Sequence, residues 1–214
     1  MPWTEILPNQ IVIVSATSAM WNTPVFPEEE ALIQQAVEKR RREFRAGRHC
    51  AHSALAKLGV PPHPILRDEK RAPIWPPGYL GSISHCQDFC LAACCAAGKI
   101  QGLGVDVEPL EPLKQGIDAY IQSQKESDFL QSHPELPERL IFSAKESLYK
   151  CLYPLVKRFF GFHAVELDID PETHRFSYTQ TGETPLVLPQ DSIFHGHYLT
   201  SQHHLFTACY LSNG

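Results

Sequence analysis

The sequence predicts an α+β protein whose two halves each hold a long helix and a few antiparallel strands. Two observations predict this class. Apolar residues recur at helical spacing in two long stretches, near 27–58 and 138–153. Short apolar or β-branched runs lie between and after them. With 214 residues, 43% hydrophobic and 20% charged, the chain suits one domain or two small ones with a sizeable core.

The first half opens with a short strand at 11–14, which is β-branched throughout. Pro27 and the three glutamates after it begin a helix, because proline suits the first turn and carboxylates favour the positive end of the helix dipole. The helical pattern, with or without a break, continues to Leu58, and Gly59 ends it. The apolar face of this helix is expected to hold Val37, Phe44, Ala51, Leu55 and Leu58.

The proline-rich stretch that follows, 61–77, is expected to be an extended loop. Strands are then predicted at 79–85, 89–97 and 102–108, the last stopped by Pro109. A polar helical region near 114–132 precedes the stronger helix at 138–153. The remaining strand-like segments lie near 163–170, 173–180, 193–200 and 204–211.

Composition narrows the class of protein. The formal net charge of -5 argues against a nucleic-acid partner, since such domains are usually basic. No stretch reaches the roughly 18 apolar residues of a membrane span, and the start of the chain lacks the pattern of a signal peptide. The seven cysteines are an odd number, and the cluster Cys86, Cys90, Cys94 and Cys95 contains no zinc-type pair. We therefore expect a soluble cytoplasmic protein without a disulfide framework or a membrane partner.

Asp106-Val107-Glu108 places two carboxylates on one face of a strand, because side chains two apart point the same way. Paired acidic oxygens suit a hard cation such as Mg²⁺, although two solvated acids on a strand edge give the same pattern. Gly102 and Gly104 let another backbone or a ligand approach this strand closely. Because Asp106 lies off the expected core face, we expect Asp106→Ala to leave the fold intact.

Glu146 and Lys150 follow each other at i and i+4 on the second long helix. This spacing is that of an ordinary surface ion pair, and it equally suits a third metal carboxylate beside a cation that meets phosphate. The first long helix carries a basic cluster, from Lys39 through Arg42 and then Arg45 and Arg48. Arginine suits phosphate because its planar guanidinium donates two hydrogen bonds at once. Arg67, Lys70 and Arg71 follow on the loop, and Ser84 and His85 end the next strand.

Taken together, these stretches resemble the phosphopantetheinyl transferase family, in particular its surfactin-synthetase-activating and enterobactin-synthetase-component-D type. The resemblance covers roughly residues 35–165. It rests on the matching segments 39–48, 75–86, 104–108 and 142–150, with 154–162 resembling the actinobacterial members.

The resemblance implies transfer of 4′-phosphopantetheine from coenzyme A to a serine of an apo carrier protein, with release of adenosine 3′,5′-bisphosphate. Such carriers serve fatty-acid, polyketide or nonribosomal peptide and siderophore synthases. The implied fold is a monomeric pseudo-dimer of two similar halves with the active site between them. Residues 1–104 would be the coenzyme A-binding half with the basic helix and loop. Residues 105–214 would carry the metal-binding strand and the catalytic helix.

The resemblance also implies roles for individual residues. Arg48, together with Arg40 or Arg41, would hold the 3′-phosphate, and Arg67, Lys70 and Arg71 would line the region of the adenosine phosphates. Ser84 and His85 would bind the pyrophosphate. Asp106, Glu108 and Glu146 would bind Mg²⁺, with Mn²⁺ as the alternative, and Lys150 would neutralise the transferring phosphate. Glu146 or Glu108, directly or through metal-bound water, would accept the proton of the carrier serine. His52 receives no role.

Two other functions fit parts of the pattern. A nucleic-acid-binding domain would use the basic helix, but it leaves the three acids unexplained. A metal-dependent hydrolase would use His195, His197, His203 and His204, because His-x-His can chelate zinc. Exposed turn histidines are the commoner explanation for those four residues.

Overall fold

A computed structural model describes residues 7–114, 116–182 and 184–214. The chain divides into two compact units, between Ile100 and Gln101. We call them the N-terminal unit and the C-terminal unit.

The N-terminal unit is a three-stranded antiparallel sheet with one long helix packed on it. The sheet order is β1-β3-β2, so the third strand along the chain lies in the middle. A short 3-10 turn at Ser18–Trp21 follows the first strand. The elements are β1 (Val12–Ser15), α1 (Pro27–Ala31), α2 (Glu38–Lys57), β2 (Tyr79–His85) and β3 (Cys90–Ala96).

Helix α2 packs on this sheet through small residues. Ala46, Cys50, Ala51 and Ala54 are fully buried against β3, whose residues Cys90–Cys95 are buried as well. A Cβ atom at Gly47 would lie 2.8 Å from Cγ2 of Ile83, so the helix approaches β2 closely at this point.

The C-terminal unit is a five-stranded sheet of order β4-β8-β7-β6-β5. Strands β5, β6 and β7 each pair antiparallel with the next strand in the chain. A second 3-10 turn, Phe162–Ala164, precedes β5. The elements are β4 (Ile100–Pro109), α3 (Asp118–Ile121), α4 (Gln124–Ser132), α5 (Leu140–Val156), β5 (Val165–Asp170), β6 (Arg175–Gln180), β7 (Ser192–Thr200) and β8 (His204–Asn213).

Helix α5 lies directly against β4. A Cβ atom built on Gly104 would lie 1.9 Å from the carbonyl oxygen of Ser147, and one on Gly102 would lie 2.9 Å from that of Cys151. The two glycines therefore admit a helix backbone rather than a ligand. This contact brings the end of β4, with its two carboxylates, beside the helix that carries Glu146 and Lys150.

The predicted α+β class with two antiparallel sheets is confirmed. Two predicted helical regions are each divided. The stretch 27–58 forms α1 and α2, and 114–132 forms α3 and α4. Val37 was wrongly assigned to the apolar face of the first helix, because it precedes α2 and is 73% exposed. None of the helices in the described residues is long and apolar enough to cross a membrane.

Candidate functional site

A cavity of about 550 Å³ in the N-terminal unit is lined by four guanidinium groups. They come from α2 and from the proline-rich loop, and they are Arg40, Arg48, Arg67 and Arg71. His85 from the end of β2 and Glu43 from α2 also line it. Such a concentration of positive charge is suited to a polyanion, because guanidinium groups donate charge-assisted hydrogen bonds to phosphate.

Arg40 and His85 are in direct contact within this cavity. A guanidinium nitrogen of Arg40 lies 2.7 Å from Nε2 of His85. Because arginine can only donate, Nε2 of His85 is the acceptor in this contact. The carboxylate of Glu43 lies 3.6 Å from the guanidinium of Arg40 and 3.8 Å from Nδ1 of His85. Glu43 therefore contacts both cavity residues.

A tight turn presents Arg67 and Arg71 to the cavity. The carboxylate of Asp68 accepts hydrogen bonds from the backbone amides of Lys70 and Ala72, at 2.9 and 2.8 Å. Arg71 adopts a left-handed conformation with φ of 68°, and Arg67 pairs with Pro73 across the turn. Asp68 thereby fixes the loop, a role that sequence reasoning missed although Asp commonly caps such turns.

Four of the residues predicted to bind coenzyme A do not line this cavity among the described residues, namely Arg41, Lys70, Ser84 and Lys150. Arg41 instead donates to the carbonyl oxygens of Ala36 and Gln34, which anchors the segment between α1 and α2. Lys70 is exposed on the turn. Ser84 precedes His85 on β2 and therefore points to the opposite sheet face, where it is buried. Of the pair left open, Arg40 is the one in the cavity.

Arg48 is the most buried of the four arginines, with its side chain 6% exposed. Its guanidinium lies over the ring of Phe44, 4.5 Å from the centroid, and 3.5 Å from the carboxylate of Glu29. Burial lowers the pKa of Arg48 to about 10, while the charge of Glu29 opposes that change. Arg48 remains protonated at neutral pH. Glu29 and its second partner, His52, were not identified from the sequence.

In the C-terminal unit, Asp106 is held by two side chains from α5. Its Oδ1 accepts a hydrogen bond from Nζ of Lys150 at 2.6 Å, and its Oδ2 accepts one from the Ser143 hydroxyl at 2.9 Å. Thr207 on β8 contacts Ser143 in turn. Asp106 is 3% exposed. The expectation that it lies off the buried part of the strand is therefore wrong, and replacing it by alanine leaves buried polar groups unpaired.

Glu108, two residues further along β4, accepts a hydrogen bond from Arg139 at 2.7 Å. Arg139 also donates to the carbonyl oxygens of Glu111 and Pro112, so it ties the segment after β4 to the start of α5. Burial, and then the charge of Asp106, raise the pKa of Glu108 to about 7 against the opposing effect of Arg139.

Glu146 lies on α5, one turn before Lys150, and lines a small cavity of about 210 Å³. Its other walls are mainly aromatic, from Tyr149, Phe159, Phe160 and Phe162. Burial, opposed by the charge of Lys150 and aided by that of Asp106, raises the pKa of Glu146. Lys150 itself binds Asp106, so it is not simply the surface partner of Glu146.

The donor types of the three carboxylates suit a hard divalent cation, although in the present arrangement of the described residues their oxygens do not all lie within 4.8 Å of one another. All offer oxygen ligands, and the negative charge of Asp106 raises the pKa of both Glu108 and Glu146. A cation among them would relieve this repulsion. In the present arrangement Lys150 and Arg139 compensate part of the charge.

A buried ion pair beside Glu146 was not predicted. Nζ of Lys145, 1% exposed, donates to Glu126 at 2.7 Å and to the carbonyl oxygen of Ile121 at 2.8 Å. Glu126 also accepts hydrogen bonds from the amides of Ser123 and Leu167. The signal available in the sequence was the capping box that Ser123 and Glu126 form at the start of α4.

Two of the four histidines of the alternative zinc hydrolase, His195 and His197, are packed within the β-sheet of the C-terminal unit. Nε2 of His195 contacts the Ser212 hydroxyl at 3.1 Å, and its ring stacks on Tyr210. His197 is 9% exposed, and burial lowers its pKa to about 4. All seven cysteines are free thiols.

Comparison with known proteins identifies the family of the chain. Residues 28–95 match the family model of the 4′-phosphopantetheinyl transferase N-terminal domain, and residues 102–206 match the 4′-phosphopantetheinyl transferase superfamily. A 4′-phosphopantetheinyl transferase of Streptomyces mobaraensis is 40% identical over 80% of this chain and 73% of its own length. One of Mycobacterium tuberculosis is 39% identical over 79% and 78%. Enterobactin synthase component D of Salmonella typhi is 38% identical over 55% and 50%.

The chain belongs to the 4′-phosphopantetheinyl transferase superfamily. It is a transferase that moves the 4′-phosphopantetheine group of coenzyme A to a serine of an apo carrier protein, with release of adenosine 3′,5′-bisphosphate. The predicted activity is thereby confirmed, and the nucleic-acid-binding and hydrolase alternatives are set aside.

Proposed function

We propose that the N-terminal unit binds the phosphates of coenzyme A through the cavity of Arg40, Arg48, Arg67, Arg71 and His85. Four guanidinium groups on one cavity support this assignment, because coenzyme A carries a 3′-phosphate and a pyrophosphate. Arg48, together with Arg40, binds the 3′-phosphate, and Arg67 and Arg71 line the adenosine-phosphate region. His85 binds the pyrophosphate. The contact between Arg40 and His85 breaks when the ligand binds, and the ligand replaces Arg40 as the partner of His85.

The C-terminal unit supplies the residues for the transfer itself. Asp106, Glu108 and Glu146 would hold Mg²⁺, with Mn²⁺ as the alternative, and a bound ion would supply positive charge beside the transferring phosphate. Lys150 is paired with Asp106 at 2.6 Å in the present arrangement. It releases this contact to bind an oxygen of the transferring phosphate. Charge neutralisation and positioning are the main requirements of phosphoryl-type transfer.

The carrier serine is the nucleophile, so its proton requires an acceptor. Glu108 or Glu146 accepts it, since both have a raised pKa and lie on the two elements that carry the metal ligands. Gln variants of each acid distinguish them. The base is the one whose Gln variant still binds Mg²⁺ but loses the acidic limb of the pH–rate profile.

The carrier protein docks, in this proposal, on the surface beside the aromatic cavity. Phe159 is 76% exposed whereas Phe160 is 9% exposed, so only Phe159 is available to a partner. Lys157 precedes it at the end of α5, and Leu110, 40% exposed, follows β4. Carriers are acidic near the modified serine, so a local basic and apolar surface suits them. Enterobactin synthase component D among the relatives supports a carrier of a peptide or siderophore synthase.

The enzyme acts as a cytoplasmic monomer in this proposal. Both sets of functional residues are in one chain, and seven free thiols suit a reducing compartment.

Asp106→Asn tests the metal assignment. It preserves the shape of the side chain and removes its charge, so it should abolish transfer and weaken Mn²⁺ binding measured by electron paramagnetic resonance. Asp170→Asn is the matched control, because Asp170 is an exposed aspartate at the end of β5. Unchanged Mn²⁺ affinity in folded Asp106→Asn would contradict the assignment.

A further inference from the structure

Arg48 is a buried cation whose position requires an explanation. Its side chain is 6% exposed, and its Nε atom has no hydrogen-bond partner among the described residues. The neighbouring charges of Arg40 and Arg67 add to burial in lowering its pKa. A guanidinium in such surroundings is stable only if a negative charge compensates it. Without one, it would leave the cavity wall for solvent.

The compensating charge is Glu29, whose side chain is fully buried. Its carboxylate accepts hydrogen bonds from the backbone amide of Ile65 at 2.8 Å and from that of Phe26 at 3.2 Å. Burial alone would raise the pKa of Glu29. The hydrogen bonds from His52 and Ile65, and the charges of His52 and Arg48, together lower it. Glu29 is therefore an anion at neutral pH, fixed by backbone groups from two separate segments.

His52 completes the arrangement from the same helix as Arg48. Its Nε2 lies 3.0 Å from both carboxylate oxygens of Glu29. Arg48 and His52 are four residues apart on α2, so they lie on one helix face and approach the same carboxylate. Of these three residues, Arg48 lines the cavity, and Glu29 and His52 stand behind it.

We propose that Glu29 and His52 are positioning residues that hold the Arg48 guanidinium in place for the 3′-phosphate of coenzyme A. The proposal deepens the proposed function and rests on its assignment of Arg48. Glu29 sets the position of Arg48, and His52 and the two backbone amides set the position of Glu29. The cost of ordering the arginine is met during folding, so less of the binding free energy is lost when the phosphate arrives.

A competing effect has the opposite sign. The negative charge of Glu29, 3.5 Å from Nε of Arg48, also weakens the attraction of the site for an anion. If this effect dominated, removing the charge would strengthen coenzyme A binding. The sign of the change therefore separates positioning from simple electrostatics.

The experiment compares Glu29→Gln with Glu30→Gln by calorimetric titration of coenzyme A and of 3′-dephospho-coenzyme A. Glu30 is the matched control, since it lies next to Glu29 on α1 and binds Arg45 of α2 through two contacts of 2.9 Å. Arg45 does not line the cavity, so only Glu29 bears on Arg48. The quantity measured is the preference, the ratio of the two dissociation constants.

Glu29→Gln should lower the preference for coenzyme A by about tenfold, through weaker coenzyme A binding at unchanged 3′-dephospho-coenzyme A binding. Glu30→Gln should leave the preference at its wild-type value, although both variants lower the melting temperature. His52→Ala should lower the preference in the same direction by a smaller factor. It decides the matter if Glu29→Gln does not fold.

An unchanged preference in folded Glu29→Gln, or tighter coenzyme A binding, would overturn the positioning role. Arg48→Ala, run in parallel, separates this failure from that of the proposed function. If Arg48→Ala keeps the wild-type preference, Arg48 does not meet the 3′-phosphate and the underlying assignment is wrong. If only Arg48→Ala loses it, the assignment stands and Glu29 is merely structural.

Discussion

Gly104→Ala should destabilise the C-terminal unit more than any ordinary small-residue exchange. The added Cβ would lie 1.9 Å from the carbonyl oxygen of Ser147 and 2.7 Å from the amide nitrogen of Cys151. Real Cβ contacts essentially never fall below 3.0 Å, so β4 and α5 must separate by about 1.1 Å. Both obstacles are backbone atoms, which cannot turn away as a flexible side chain would.

Overpacking in a core typically costs about 1–3 kcal/mol, and a backbone obstacle places this variant at about 3 kcal/mol or more. For a chain of this size, that corresponds to a fall in melting temperature of roughly 6–12 °C. The rate of transfer should also fall in the fraction of the variant that remains folded. Asp106 lies two residues beyond Gly104, and Glu146 directly precedes Ser147, so both functional residues are next to the disturbed contact. The separation moves the two metal-binding elements apart.

Urea unfolding and the rate of carrier modification measure the two effects. Gly161→Ala is the matched control, since a Cβ at Gly161 meets no atom of the described residues within 4 Å and its φ of -82° suits any residue. It should change stability by less than about 0.5 kcal/mol. Equal stability of the two variants would refute the close approach of β4 and α5.

Three further outcomes are expected. Arg48→Ala should weaken coenzyme A binding by roughly ten- to a hundredfold, because a charge-assisted hydrogen bond is worth about 1.5–3 kcal/mol. Binding of 3′-dephospho-coenzyme A, measured by the same calorimetry, should not change. Equal losses for the two ligands would show that Arg48 does not bind the 3′-phosphate. Lys157→Glu should raise the KM for the carrier several-fold at low salt and leave that for coenzyme A unchanged; Arg158 is the poorer probe because it donates to the carbonyl oxygens of Thr184 and Pro185. The lowered pKa of His197, about 4 against an ordinary 6.5, favours the folded state above pH 6.5, and this stability is lost as the pH falls towards 4. The loss is about 3 kcal/mol, measured as the difference between wild type and His197→Gln in urea unfolding across this range, and parallel curves would contradict it.

The sequence predicted those parts of the fold whose signal is local. The strand at 79–85 is predicted with the bounds that β2 has, and the turn-forming residues Pro77 and Gly78 precede it directly in the sequence. The break between α1 and α2 was poorly located, because Val37 fits a helical apolar face by spacing alone. Its exposure depends on the packing of the whole unit. Phe159 and Phe160 illustrate the same limit, since only the fold decides which of two adjacent aromatics is buried.

The sequence predicted which residues belong to the candidate site but not which contacts they make. Arg40 and Arg41 are equivalent by composition, and the structure distinguishes them through the carbonyl oxygens that Arg41 binds. From the sequence, Glu29 is one of three glutamates that favour the start of a helix. Nothing local indicates that its carboxylate will be buried between Arg48 and His52. Its partners are 19 and 23 residues away along the chain. Long-range pairs of this kind require the tertiary structure.

Mass spectrometry of an apo carrier protein, incubated with the enzyme, coenzyme A and Mg²⁺, tests the central claim most directly. The claim is that cations of the N-terminal unit bind coenzyme A and that acids of the C-terminal unit serve the transfer. Wild-type enzyme should add one phosphopantetheine group to the carrier. Asp106→Asn should add none while still binding coenzyme A, and Arg48→Ala should recover its rate at high coenzyme A. Full modification by Asp106→Asn at the wild-type rate would contradict the account.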